Sequence, residues 1–226
     1  MKKIKVLTDF LEANDTVALE NRKIFNEHKI LVLNLMSSPG AGKTLILEKT
    51  IKKLKRDFRF AVIEGDVATS NDAKRLAKQD IPVVQITTES FGGACHLDAS
   101  MIRKAMQGLD LPWVEILFIE NIGNLICPAE FDLGEDKKII VLSITEGEDK
   151  PSKYPVVFRN SDLLLINKID LLPQLDIDLN LILKNAKKVN PRLSSIQLSA
   201  KTEEGFKKWL DWLAREYKSK SKRKSV

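Results

Sequence analysis

A glycine-rich turn set between an apolar run and an amphipathic one limits this chain more than any other feature. Ile30-Leu31-Val32-Leu33-Asn34-Leu35-Met36 is short, apolar and partly β-branched, and it runs into Ser37-Ser38-Pro39-Gly40-Ala41-Gly42-Lys43-Thr44. Beyond it, Leu45, Leu47, Ile51 and Leu54 recur among lysines as on an amphipathic helix. A continuous apolar run suits a strand covered on both faces. Strand, glycine turn and helix start make an anion cradle. The N–H groups around Gly40, Ala41 and Gly42 attract phosphate oxygens, Lys43 can reach β- and γ-phosphates, and Thr44 can ligate magnesium. The usual phosphate-loop pattern puts a glycine six residues before the lysine; here that residue is Ser37.

The alternation continues down the chain. Strands are expected at Phe60–Glu64, Val83–Ile86, Val114–Ile119, Ile139–Ile144, Leu163–Ile166 and Ser195–Leu198, and helices at Ser70–Lys78, His96–Gln107, Ile177–Lys188 and Glu203–Tyr217. Strands alternating with helices predict an α/β fold, a mainly parallel sheet flanked by helices, with ligands beyond the carboxyl ends of the strands. Residues 1–29 read as a helical preface with a loose stripe of Phe10, Leu11, Val17, Leu19 and Ile24, and with Asn14 or Asp15 as a cap. Residues 30–217 form the main domain. The basic run 218–226 reads as a flexible tail.

The strand ends carry the polar chemistry. Glu64-Gly65-Asp66 closes one strand and Glu120 another. Carboxylates on adjacent strand ends can hold magnesium directly or through water, and can orient a water for phosphoryl transfer. Lys43, Asp66 and Glu120 are therefore the catalytic candidates, with Thr44, Asp66 and Glu120 around the magnesium. Gly123 could let the backbone approach a γ-phosphate. Asn167-Lys168-Ile169-Asp170 follows a buried strand. Asp170 can accept from guanine N1–H and its exocyclic amine, Asn167 can engage another polar base edge, and the Lys168 stem can cover the ring. Ser199-Ala200-Lys201 would complete the pocket with backbone donors. GTP is the expected nucleotide.

Cys95 and His96 are adjacent, and Cys127 lies in a second loop. Their spacing is not that of a closed zinc finger; it also suits two buried cysteines and a helix-cap histidine. Taken together, they offer three soft or borderline ligands for Ni²⁺ or Zn²⁺, with water or another subunit completing the shell.

Composition excludes several classes. With 226 residues, the chain is one large domain with short appendages. Two cysteines cannot staple a secreted scaffold. The excess of 37 Lys and Arg over 31 Asp and Glu is small and spread out, so no nucleic-acid partner is expected. No apolar run approaches the roughly 20 residues of a membrane span, and the start lacks the apolar core of a secretory signal. The expectation is a cytoplasmic protein without stable membrane insertion.

On these strings the chain resembles the hydrogenase nickel-incorporation GTPases of the HypB family, a P-loop GTPase fold. The resemblance spans residues 30–217. It rests on Ser37 to Thr44, Glu64-Gly65-Asp66, Cys95-His96-Leu97-Asp98-Ala99, Leu117 to Phe131, Glu146 to Lys150 and Asn167-Lys168-Ile169-Asp170. It implies magnesium-dependent GTP hydrolysis, and nickel or zinc at Cys95, His96 and Cys127 near a nucleotide-dependent homodimer interface. It also implies a nickel metallochaperone as partner and a hydrogenase large-subunit precursor as recipient. The family's cysteine-rich N-terminus and histidine-rich segment do not occur in this sequence, which narrows the expected role to transfer rather than storage. Two other readings stand beside it: a urease-type maturation GTPase, which usually shows Cys-Pro-His where this chain has Cys95-His96, and a nucleotide-controlled metal-binding scaffold with little turnover.

Overall fold

Five largely apolar segments form the buried centre of one parallel sheet, and two less buried strands flank them at its edges. The computed structural model describes residues 6–89 and 93–222, with side chains from Leu11 onward. Its strands are β1 (Leu31–Ser37), β2 (Phe60–Asp66), β3 (Val83–Thr87), β4 (Ile116–Gly123), β5 (Lys137–Ser143), β6 (Leu163–Asn167) and β7 (Ser194–Gln197). They lie in the order β3-β2-β4-β1-β5-β6-β7, every pair parallel. The α-helices among the described residues are α1 (Val6–Glu27), α2 (Lys43–Leu54), α3 (Asn71–Ala77), α4 (Ala99–Met106), α5 (Lys150–Lys153), α6 (Pro155–Arg159), α7 (Leu179–Val189) and α8 (Phe206–Lys222). No described helix is long and apolar enough to cross a membrane.

Period-two alternation divides β1 between two layers. Leu31, Leu33 and Leu35 pack with Ile46, Leu47 and Ile51 of α2 and with Trp209 and Leu213 of α8. Val32 faces the other layer, where Phe25 of α1 and Ile102 of α4 cover the β2–β4 half of the sheet. Phe158 of α6 and Ile182 of α7 cover the β5–β6 half. At about 25 cal/mol per Å² of apolar surface removed from water, this double burial is the main stabilising term.

All seven expected strands form, with ends shifted by no more than four residues. Several helical expectations need correction. The buried stripe of α1 is Asn14, Ala18, Asn21 and Phe25, with the expected Leu11 and Ile24 half-buried beside it, whereas Leu19 is 63% exposed and the Phe10 side chain lies outside the described ones. Asn14 and Asp15 lie inside α1 and do not cap its start. Helix α4 starts at Ala99, where the Asp98 carboxylate accepts from Met101 N–H, so Cys95 and His96 precede it in a loop. The short α5 and α6 fill a stretch whose two prolines conceal helical periodicity. Helix α8 continues through Lys222 into the basic run assigned to a flexible tail. Lys220 is buried there, bonded to Asp136 Oδ1 and Asn26 Oδ1 at 2.6 Å each. Residues 223–226 lie outside the described residues.

Candidate functional site

The carboxyl ends of β1, β2 and β4 meet the start of α2 in a cleft of about 530 Å³, lined by Pro39 to Leu45, Glu64 to Val67, Asp72, Arg75 and Glu120 to Gly123. The glycine turn enters α2 through a left-handed Gly42 (φ 102°), which a side chain would strain. Lys43 is buried, and its Nζ donates to Ser37 Oγ at 2.8 Å. Ser37 thus gives the lysine a resting partner. Burial lowers the Lys43 pKa, against the opposing pull of Glu120 and Asp72.

Thr44 Oγ1 donates to Glu120 Oε1 at 2.7 Å. Parallel register sets Glu64 opposite Glu120 on adjacent strands, and both side chains are buried. Each keeps one oxygen, Oε2, with no partner. Burial, followed by the Glu120 charge, pushes Glu64 up to about 8; burial raises Glu120 as well. Two orphaned carboxylate oxygens beside a hydroxyl are a hard, oxygen-only donor set that fits a magnesium ion. An unsatisfied buried acceptor costs about 1–3 kcal/mol, so a cation here relieves an existing penalty. Asp66, at the rim, accepts from Val67 N–H at 2.6 Å and from the Thr69 hydroxyl. Glu64 was not among the sequence candidates. Only strand register, which pairs it with Glu120, singles it out.

On the far side of the glycine turn, the loop after β6 departs from expectation. Asn167 does not present a free amide to a base. Its Nδ2 donates to Ala41 O at 2.8 Å and its Oδ1 accepts from Ala200 N–H at 2.9 Å, so it ties the glycine turn to the Ser199-Ala200-Lys201 loop. That also occupies the Ala200 donor, and Lys201 N–H bonds Ser199 Oγ at 3.2 Å. Lys168 takes a left-handed conformation (φ 65°), and its Nζ reaches Gly40 O at 2.8 Å. Such backbone strain in a non-glycine residue persists where surrounding contacts impose it. Asp170 Oδ1 is buried without a partner, an acceptor available to a ligand's N–H. Gly123 lies against Pro39.

Cys95, His96 and Cys127 come together beside this cleft, their ligand atoms all within 4.8 Å of one another. Cys127 begins a 3-10 turn, Cys127–Ala129. Cys95 Sγ stands 2.8 Å from Cys127 Sγ, and Cys95 is exposed, so the alternative of two buried cysteines does not describe it. Interaction with Cys95 raises the Cys127 thiol, as expected where two sulfurs share one proton-binding locus. The His96 ring stacks on Phe131 with centroids 3.9 Å apart. Its Nδ1 is buried without a partner, and burial lowers its pKa, which favours the neutral ring that ligates metals. Two sulfurs and an unprotonated imidazole fit a borderline ion such as Ni²⁺ or Zn²⁺, with a further coordination position open.

The two clusters touch through the residue after His96. Leu97 packs on Gly65, between Glu64 and Asp66; a Cβ there would stand 2.8 Å from the Leu97 methyls. Asn121 follows Glu120. Its Oδ1 accepts from Ile122 N–H at 3.0 Å and from Leu97 N–H at 3.4 Å. Asn124 Nδ2 donates to Cys95 O at 3.3 Å, tying the two thiol-bearing loops together.

Comparison with known proteins places these features in a group. Residues 31–197 match the family model described as CobW/HypB/UreG, nucleotide-binding domain. The hydrogenase maturation factor HypB of Azotobacter chroococcum is 49% identical over 213 residues, covering 94% of this chain and 69% of that protein. Among solved structures, HypB from Helicobacter pylori in complex with nickel superposes with a TM-score of 0.86 at 37% identity, over 92% of this chain and 96% of that one. The hydrogenase maturation factor HypB from Archaeoglobus fulgidus gives 0.85 at 37% identity, over 92% and 100%.

Proposed function

The chain belongs to the CobW/HypB/UreG nucleotide-binding family, and on that premise we propose that it hydrolyses GTP and couples hydrolysis to nickel delivery during nickel-iron hydrogenase maturation. The observation that carries this reading is the contact between the two clusters: Leu97, next to ligand His96, seats on Gly65 between two carboxylates of the phosphate cleft. A change at the strand end on nucleotide binding or hydrolysis has a short, packed route to the thiolates.

In this reading the β- and γ-phosphates lie along the glycine turn. Lys43 leaves Ser37 for the phosphate oxygens and stabilises the charge that moves during transfer. Thr44, Glu120 and Asp66 hold magnesium, with Glu64 as a further oxygen donor. Magnesium held there would supply charge neutralisation at the transferring phosphate. The carboxylates orient the attacking water, giving GDP and phosphate. Asp170 reads guanine, Lys168 covers the ring, and Asn167 keeps the two loops in register. Nickel is cargo at Cys95, His96 and Cys127. A second copy completes its coordination in a nucleotide-dependent homodimer, and zinc competes for the same ligands. Nickel passes between a metallochaperone and the hydrogenase large-subunit precursor in the cytoplasm.

Phosphate release measured with and without Mg²⁺, in wild type and Lys43→Ala, tests the enzyme reading. Magnesium-dependent release that the variant lacks supports it. Metal binding with no turnover under either condition leaves a nucleotide-controlled scaffold instead.

A further inference from the structure

Helix α1 buries two asparagines in the middle of its packed stripe. Asn21 has no exposure and Asn14 is 6% exposed. They lie two turns apart on one face. Burying an amide is costly unless its groups are satisfied, so their partners matter. Asn14 Oδ1 accepts from Ala99 N–H at 2.9 Å, and its Nδ2 donates to Asp132 O at 2.9 Å. Asn21 Nδ2 donates to Ala99 O at 2.8 Å and to Leu133 O at 3.2 Å. Both side chains therefore bridge the same two segments. One is the start of α4, three residues after His96. The other is the 131–134 loop, which follows Cys127 and whose Phe131 stacks on His96.

Further contacts hold that bridge rigid. Arg22 Nη2 meets both Asp132 oxygens at 2.7 and 2.8 Å. Arg103 of α4 donates from Nε to Asn21 Oδ1 at 2.7 Å. Gly134 lies so close to α1 that a Cβ would stand 2.8 Å from Ala18 O and 2.9 Å from Arg22 N. None of these groups belongs to the phosphate cleft.

We propose that α1 is the positioning element of the Cys95–His96–Cys127 site, with Asn14 and Asn21 setting the separation of the two segments so that one thiophilic divalent ion meets all three ligands. The inference rests on the reading of those residues as a metal site. Outer residues that orient metal ligands typically change affinity about 10–100-fold when removed. Asn14→Ala raises helix propensity, so it removes one of the two bridges without weakening α1 as a helix.

The test uses the full chain with GDP bound. Ni²⁺ affinity is measured by equilibrium dialysis for wild type, Asn14→Ala, Asn14→Asp, Gly134→Ala and Cys95→Ala, and the absorption bands of the Co²⁺-loaded proteins are recorded at saturation. Asn14→Ala and Gly134→Ala should weaken Ni²⁺ about tenfold and shift the Co²⁺ bands, while GDP affinity stays within about twofold. Asn14→Asp keeps the acceptor for Ala99 N–H and loses the donor to Asp132 O, so it should fall between wild type and Asn14→Ala. It serves as the reporting variant where Asn14→Ala does not fold. A lowered melting temperature with wild-type Ni²⁺ affinity and unchanged Co²⁺ bands would overturn the proposal, since it describes a merely structural helix. Unchanged Ni²⁺ affinity in Cys95→Ala would instead remove the metal-site reading, and this inference with it.

Discussion

The phosphate cleft and the thiol cluster sit side by side, yet they are built on opposite terms. In the cleft, Lys43, Thr44, Glu64 and Glu120 are all buried, and Lys43 and Thr44 already hold partners in the protein. Only a few atoms, such as Glu64 Oε2, Glu120 Oε2 and Asp170 Oδ1, lack a partner. In the thiol cluster, Cys95 is exposed, three ligands face one point, and the segments that carry them are a loop and a 3-10 turn. Preorganised buried dipoles favour charge stabilisation without rearrangement. An open coordination shell on short loops favours exchange. The difference teaches that the proposed chemistry and the proposed cargo transfer need opposite rigidity, and that the Leu97–Gly65 contact must join them without making them alike.

The sharpest way to break that comparison is to remove one side at a time. Lys43→Ala should lower the GTP turnover by about 100-fold or more, as loss of one charge-stabilising donor does, with Ni²⁺ affinity unchanged. Steady-state phosphate release and dialysis together read both quantities. Cys127→Ala should weaken Ni²⁺ by roughly 100-fold, at or beyond the upper range for a residue outside the ligand set, and leave GTP affinity within about twofold. If either substitution abolished both functions, the two regions would be one site rather than two.

A subtler change tests the joint. Gly65→Ala forces Leu97 to move while β2 keeps its backbone, because the obstructing atoms are the far end of a flexible side chain. The expected outcome is a Ni²⁺ affinity that no longer depends on the bound nucleotide, with turnover reduced less than in Lys43→Ala. The smallest effect concerns pH. Glu64 is pushed up to about 8, above its ordinary range when unfolded. It therefore binds a proton in the folded nucleotide-free protein that the unfolded chain has released. This contribution to stability is fully present below pH about 4.5 and is lost as pH rises towards 8. Thermal melts of the Mg²⁺-free protein should show Glu64→Gln flattening the decline between those limits.

Much of the cleft was legible because its determinants are local in sequence. The β1 run, the glycine turn and Lys43-Thr44 are contiguous, and doubly buried parallel strands announce themselves as unbroken apolar runs. What escaped was long-range. Glu64 gains its role from register with Glu120, and Asn167 spends its amide on Ala41 and Ala200, contacts that no spacing rule encodes. Helix α1 was read only in part, its helix and the packed Leu11 and Ile24 expected but its buried centre not, for a related reason. Its buried stripe holds two asparagines, so apolar periodicity missed Asn14 and Asn21 and included Leu19, which faces outward. The basic end of α8 misled likewise: Lys220 looks like tail composition until Asp136 and Asn26 are brought beside it.

The central claim is that nucleotide state at the cleft sets metal retention at the thiols. Its most direct measurement is the Ni²⁺ affinity of the wild-type chain in three states: nucleotide-free, with Mg²⁺ and GDP, and with Mg²⁺ and a non-hydrolysable GTP analogue. Coupling free energies between linked sites commonly correspond to about 5–150-fold in affinity. At least a fivefold difference is expected between the GDP and GTP-analogue states, abolished in Gly65→Ala. Equal Ni²⁺ affinity in all three wild-type states would contradict it.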